Sequence, residues 1–419
     1  MNSSPSQANT LYCSTHQSGN ITLRLKRTLK KRTMNIIPSW FAVTMGTGIL
    51  SILLFNSPYQ FDGLPTIAGV IFGINVVVFV VLLIFTILRY TIWPSLLPLM
   101  LTHPVNLFTG TFPMGLATLV TMTVNSLVPL YGYSYILLAY ILWYITVTIS
   151  LITCIGIPFI QMSRQTVENR QIFATALLPT VSTIVAASTG ATVATVLPDS
   201  QARITLVISY ILLGTGLPIS VLLMANYSYR LILFKLPQPA FISSTFITIG
   251  PCGQSAYTIL KLSNDIKDLV AKNGLVPFTG VRDPEVARLA AISLQTVSIP
   301  TALFIWGFGV LWFFFAIISF ADTWASKKIP LNLSLWACTF PIGTLALSAQ
   351  ELGKVLDMVG MKVVSTILTI LLVVIWVLLF PVTVYYGVIR DTWFISPCLS
   401  DVGGYPPAFN EVKFNNRKY

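Results

Sequence analysis

Charge is what this chain has least of. Of its 419 residues only 9% are Asp, Glu, Lys or Arg, against about a quarter in an ordinary soluble domain. Hydrophobic residues make up 55%, and the mean hydropathy is +0.79. That balance excludes a soluble globular fold and marks an integral membrane protein. Histidine is scarcer still: only His103 falls near a membrane segment, with no acid at hand. Neither a His–acid nor a Cys–His pairing is available to activate a nucleophile, so no enzyme is expected. The five cysteines (Cys13, Cys154, Cys252, Cys338, Cys398) are far apart and form no pair at metal-ligand spacing, so neither a metal site nor a disulfide framework is expected. No Gly-rich loop ending in Lys-Ser/Thr is present, which removes a nucleotide motif; no cofactor is implied. The formal net charge of +12 comes from basic residues scattered between apolar runs. It carries no base-reading module and points to no nucleic acid.

What the chain does have is long apolar stretches. A crossing of roughly 30 Å of hydrocarbon takes about 20 residues. Ten such stretches lie near 36 to 56, 65 to 88, 105 to 129, 134 to 160, 172 to 196, 203 to 228, 239 to 262, 289 to 320, 331 to 352 and 363 to 388. Nine or eleven crossings are the alternatives, because the eighth stretch is long and 89 to 104 is partly apolar. The basic run "RLKRTLKKR" resembles a signal-peptide n-region, but the apolar stretch after it is too long and lacks a small-residue cleavage site. With the N-terminus inside, 17 of the 25 Lys and Arg fall on the inner side, as the positive-inside rule requires. Both termini are therefore expected in the cytosol. The expected organisation is a disordered, basic N-terminal tail over 1–35, a transmembrane domain over 36–390, and a short C-terminal tail over 391–419.

The stretches alternate in character. The odd-numbered ones gather small and hydroxyl residues around Gly or Pro: "TMGTG" at 44–48, "TFPMG" at 111–115, "LLPTVS" at 177–182, "GPCGQ" at 250–254 and "TFPIG" at 339–343. The even-numbered ones are greasy, as in "VVVFVVLLIF" at 76–85. Small residues let helices approach closely. A proline in mid-helix removes a hydrogen bond and bends the chain, and such breaks are tolerated at membrane depth only around protein or a water-filled cavity. The expectation is an all-α membrane protein of ten transmembrane helices, built as five hairpins in pseudo-five-fold arrangement, with odd helices around a central pore and even helices toward lipid.

No acidic or basic residue falls near the middle of any stretch, so the pore is expected to be uncharged. Hydroxyls, amides and helix N-terminal ends suit a small anion, and a weak site lets it leave. The candidate pathway comprises Thr47, Thr111, Phe112, Pro113, Gly115, Thr118, Pro179, Ser182, Gly250, Pro251, Gly253, Gln254, Thr339, Phe340, Pro341 and Gly343, with Thr44, Thr183, Ser255 and Thr344 as further lining. Phe112 and Phe340, at equivalent places beside their prolines, suit either a plug in a narrow pore or packing between hairpins.

The stretches "NLFTGTFPMGLATLV" at 106–120, "IGPCGQSAYTILKLSNDIK" at 249–267 and "LWACTFPIGTLALSAQEL" at 335–352 resemble the fungal sulfite-efflux pumps. These belong to the tellurite-resistance and dicarboxylate-transporter family, which also holds plant slow anion channels and yeast malic-acid permeases. The resemblance spans about 36 to 390. It implies export of sulfite or bisulfite across the plasma membrane and, by match to the Thr-Phe-Pro motif, an occluding role for Phe340. It leaves a homo-oligomer open, since trimers occur among such relatives. The alternatives are a malate-type dicarboxylate permease or another small-anion channel on the same fold.

Overall fold

The computed structural model describes residues 28–165, 168–273 and 283–397. Among them the chain is helical and contains no strand. The principal helices are α1 (Phe41–Phe55), α2 (Leu64–Ile92), α3 (Thr111–Met122), α4 (Tyr133–Arg164), α5 (Leu178–Ala194), α6 (Asp199–Phe234), α7 (Ile249–Asn273), α8 (Pro284–Ser326), α9 (Thr339–Val355) and α10 (Val359–Thr383). Among the described residues eight helical runs are long and apolar enough to cross a membrane: those containing α1 to α6, α8 and α10. The remaining two differ for plain reasons. The second half of α7 carries Lys261, Asp265, Lys267, Asp268 and Lys272, and α9 turns polar toward its end with Gln350, Glu351 and Lys354.

Burial separates the helices into two sets. In the runs holding α1, α3 and α5, 83%, 83% and 94% of the apolar window is buried; in the even-numbered helices the share is between 22% and 33%. Nearly every residue of α9 is also buried. The packing explains the contrast. α1 touches α3, α3 touches α5, α5 touches α7, α7 touches α9, and α9 returns to α1, so the five odd helices close a ring. Each even helix packs on the odd helix before it in the chain, with an outer face of exposed apolar side chains such as Val77, Ile152, Leu222, Phe304 and Ile370.

The ring is held by close backbone approach. A Cβ on Gly253 of α7 would stand 2.7 Å from backbone atoms of Thr344 and Leu345 of α9, and one on Gly46 of α1 would meet the Thr339 hydroxyl at 2.2 Å. Indole N–H groups tie outer helices to inner ones. Trp143 of α4 donates to the Ala186 carbonyl of α5 (2.9 Å), Trp306 of α8 to the Leu345 carbonyl of α9 (3.2 Å), and Trp376 of α10 to the Thr47 hydroxyl of α1 (3.0 Å). In each case the bond runs to the next inner helix around the ring. Lipid gives apolar surfaces little reason to associate, so packing and such polar contacts carry the assembly.

The proline expectation needs correction. Pro113, Pro179, Pro251 and Pro341 do not break their helices in the middle. Each lies in the first turn of its α-helix, directly after a 3-10 stretch: Pro104–Gly110, Ala174–Leu177, Pro239–Thr248 and Leu333–Cys338. Pro38–Trp40 stands before α1 in the same way. A first-turn proline has no missing intrahelical bond to regret, because its amide is one of those a helix start leaves free. The prolines inside helices are Pro158, Pro218, Pro300 and Pro381, all on outer helices. The 3-10 stretches also touch one another in a closed circuit, so the odd helices start together at one end of the bundle and run parallel.

The seventh segment is longer than the sequence suggested. α7 continues to Asn273 because Lys261 and Asp265, four residues apart and 2.7 Å from contact atom to atom, support another turn. Of the two expected tails, 28–35 and 391–397 fall within the described residues; the rest lies outside them. Residues 391–397 pack against residues 32–40. Arg32 pairs with Asp391, Phe394 stacks on Trp40 at 4.5 Å, and the Ser396 amide donates to Asn35 Oδ1 at 3.2 Å.

Gly253→Ala is expected to destabilise the fold by about 1–3 kcal/mol, the usual effect of overpacking. Gly307→Ala on α8, whose Cβ meets nothing within 4 Å, should leave it unchanged. Thermal unfolding of both variants in detergent, followed by tryptophan fluorescence, checks the difference.

Candidate functional site

Two cavities lie along the ring. The larger, about 620 Å³, is a vestibule where the five odd helices begin; Ser39, Ala42 and Met45, Thr111, Leu178, Ile247, and Ser334 and Ala337 represent the five. Trp393, Ile395 and Pro397 of the C-terminal segment line it as well. The smaller, about 20 Å³, lies further along and is enclosed by all five odd helices: Ile49 and Ile52 of α1, Ala117, Thr118 and Thr121 of α3, Val185, Ser188, Thr189 and Thr192 of α5, Gln254 and Tyr257 of α7, and Phe340 and Leu347 of α9. Such a volume holds about one water-sized body. No described lining residue of either cavity carries a charge.

Phe340 is 2% exposed and stands one turn beyond Ala337, so its ring lies at the vestibule end of the small cavity. Phe112 has a different setting. It meets Phe41 edge-on (4.9 Å) and stacks on Phe79 (5.4 Å), forming an aromatic cluster between α1, α2 and α3, and it lines neither cavity.

Of the other residues singled out from sequence, Thr118 and Gln254 line the small cavity and Thr111 the vestibule. Thr47 faces Trp376, and Ser182 lies 3.3 Å from Thr153 of α4. Gly115, Gly253 and Gly343 mark seams where inner helices approach one another: a Cβ at Gly115 would meet Thr44, and one at Gly343 would meet Ile49. Gly250 has only Pro341 nearby, at 3.9 Å, and Thr339 is the hydroxyl packed against Gly46. Sequence reasoning missed Thr121, Ser188, Thr189, Thr192 and Tyr257. The signal for them is helical spacing: Thr118 with Thr121, Val185 with Ser188, Thr189 and Thr192, and Gln254 with Tyr257 recur at three, four and seven residues.

The hydroxyl protons are largely committed. Thr118 donates to the Gly115 carbonyl (2.7 Å), Ser188 and Thr189 to that of Val185 (2.9 and 3.0 Å), and Thr192 to that of Ser188 (3.3 Å). The same holds for Thr44, Thr47, Ser182, Thr183 and Thr344. These groups therefore turn lone pairs, more than protons, toward their surroundings. The chief side-chain donor on the small cavity is the Gln254 amide, which reaches Ser188 Oγ at 2.6 Å while its carbonyl oxygen has no partner among the described residues. The remaining favourable field for an anion comes from the helix starts, each worth roughly half a positive charge at a helix N-terminus, five of which surround the vestibule.

A multi-pass helical membrane protein whose inner helices enclose cavities without charged lining residues is the class this geometry defines. A family model described as "Voltage-dependent anion channel" (SLAC1) matches residues 35–384, and the chain belongs to that family. Among curated proteins it is 36% identical over 359 residues to a protein named sulfite efflux pump SSU1 from Arthroderma otae, covering 85% of this chain and 92% of that one. It is 28% identical over 337 residues to the Candida albicans protein of the same name (76% and 66% covered), and 23% identical over 381 residues to the malic acid transport protein of Schizosaccharomyces pombe (90% and 84%).

Cysteine accessibility checks the two-cavity geometry. In a background with the native cysteines replaced by serine, Ser334→Cys should react readily with an anionic thiol reagent and Thr189→Cys hardly at all. Equal rates would contradict a constriction between the cavities.

Proposed function

We propose that the chain crosses the plasma membrane ten times, with both termini cytosolic, and exports sulfite or bisulfite through the axis of the odd-helix ring. The observation that carries this reading is the small cavity: it is bounded by all five odd helices and free of charged side chains. α7 and α9 cross with the others in this reading, since each is paired with an outer helix and closes the ring. Family membership and the names of the relatives supply the substrate class.

The vestibule opens to the cytosol, where the exposed Arg164, Lys235, Lys327, Lys328 and Arg390 raise the local concentration of anions. One negative charge moving out of an inside-negative cell gains roughly 2.3 kcal/mol per 100 mV, so efflux runs without a nucleotide. A neutral path suits this task, because a fixed counter-charge on the axis would hold the ion. Phe340 closes the path: a cavity of about 20 Å³ is too small for a four-atom anion, and removing the ring joins it to the vestibule. Phe112, in its aromatic cluster, serves packing.

Purified protein in liposomes tests this. Sulfite should leave vesicles faster when the outside is made positive, and Phe340→Ala should conduct more than the wild type. Phe112→Ala should instead destabilise the fold by about 3–5 kcal/mol at most, the range for a core Phe, without raising flux. Passage of chloride with refusal of sulfite, or inward uptake of labelled malate in its place, would overturn the substrate assignment.

A further inference from the structure

Beyond the small cavity, on the side away from the vestibule, the uncharged path ends in a cluster of charges. On α7, Gln254, Tyr257 and Lys261 follow at three and seven residues and so share a face. The first two line the cavity, and Lys261 stands one turn further on, in electrostatic contact with Tyr257. On α9, Leu347 lines the cavity and Glu351 stands one turn beyond it. Lys261 is the cation next along the path. Its ammonium lies 2.7 Å from Asp265 Oδ1 and feels Glu351 as well.

The two carboxylates are held differently. Glu351 accepts from Asn264 Nδ2 at 2.8 Å; Asn264 Oδ1 in turn accepts from Gln295 Nε2 at 2.7 Å, and Gln295 Oε1 from Lys267 at 3.1 Å. That chain fixes Glu351 in place. Asp265 is 6% exposed, and its second oxygen has no hydrogen-bond partner among the described residues. It faces a cavity of about 290 Å³ shared with Asp199 of α6 and with Asp268 and Lys272 of its own helix. From α8 the polar group in this cluster is Gln295, which is uncharged, and Thr195 follows directly after α5.

We propose that Lys261 is the station that takes the anion as it leaves the small cavity, and that Asp265 competes with the passing anion for the Lys261 ammonium. The inference rests on the transport reading above. With Asp265 ionised, Lys261 is neutralised and Glu351 leaves the mouth negative, so an anion is turned back. A proton taken by Asp265 from the outer solution frees Lys261 to receive it. Of the charged groups facing Asp265, Glu351 and Asp268 favour that proton, while Lys261 opposes it.

The test is nitrate flux from liposomes holding the full-length protein, since nitrate does not titrate and separates the protein's pH response from the substrate's. Wild-type flux should rise as the outer solution is acidified, and Asp265→Asn should be faster at neutral pH and lose the response. Removing one member of a partly buried pair can unfold a protein, so Lys261→Met is combined with Asp265→Asn. The double variant keeps the size of both side chains and leaves neither member of the pair charged and unpaired. It should fold with a thermal midpoint like that of the wild type yet carry about tenfold less nitrate, or lower still, the loss expected when a charge that concentrates the ion is removed. A folded double variant with wild-type flux, or an acid response that survives Asp265→Asn, overturns the proposal while leaving the transport reading standing. Absence of flux in the wild type at every pH counts against the transport reading itself.

Discussion

The fold depends on five parallel helix backbones coming close enough to touch. In a bilayer, apolar faces have little preference for each other over lipid, so contact must be won by fit and by polar bonds. The sequence supplies that fit with Gly, Ala, Ser and Thr on the inner helices. Where Gly253 meets Thr344 and Leu345, or Gly46 meets Thr339, even a methyl group would collide with the neighbour. The greasy even helices then cover the ring, and tryptophan N–H groups fasten three of them to the next inner helix.

The same constraint sets the chemistry of the axis. Hydroxyl groups in a water-poor interior need partners, and the nearest are the carbonyls of the preceding turn. Once Thr118, Ser188, Thr189 and Thr192 have donated to those carbonyls, the small cavity is polar without being rich in donors. An anion there depends on the Gln254 amide, on the field of the helix starts and on basic residues beyond the ends. That is a shallow well, suited to passage and poorly suited to retention. The 3-10 stretches before α3, α7 and α9 are longer than the three or four residues usual for that geometry, and they place a wide vestibule directly before the narrow part.

Much of this arrangement was legible in the amino-acid order. The alternation of small, hydroxyl-bearing segments with greasy ones foretold which helices are buried, since a helix that packs on all sides needs short side chains. The repeated Thr-Phe-Pro cluster marked α3 and α9 as related elements. Thr118, Gln254 and Phe340 are legible as lining of the small cavity, but the prolines read as mid-helix bends and stand at helix starts, so the cavity extends further along the helices than the motifs themselves. Val185 lies six residues past Pro179, Thr118 five past Pro113, and Gln254 three past Pro251. The two phenylalanines could not be told apart by motif, for what distinguishes them is the neighbouring Phe41 and Phe79. Nor could sequence reveal Lys261, Asp265 and Glu351 as one cluster. Glu351 lies 87 residues from the Asn264 that holds it, and the turn of α7 bearing the pair reads as loop on hydropathy alone.

The central claim is that a small anion travels along the axis of the inner ring. Crystals of the protein soaked in selenite, a close analogue of sulfite whose selenium scatters anomalously, locate that ion directly. The account predicts an anomalous peak on the axis, beside Thr118, Ser188 and Gln254 or at the vestibule end next to Phe340. Peaks confined to the lipid-facing surface or to crevices between outer helices, with the axis empty at saturating selenite, would contradict it.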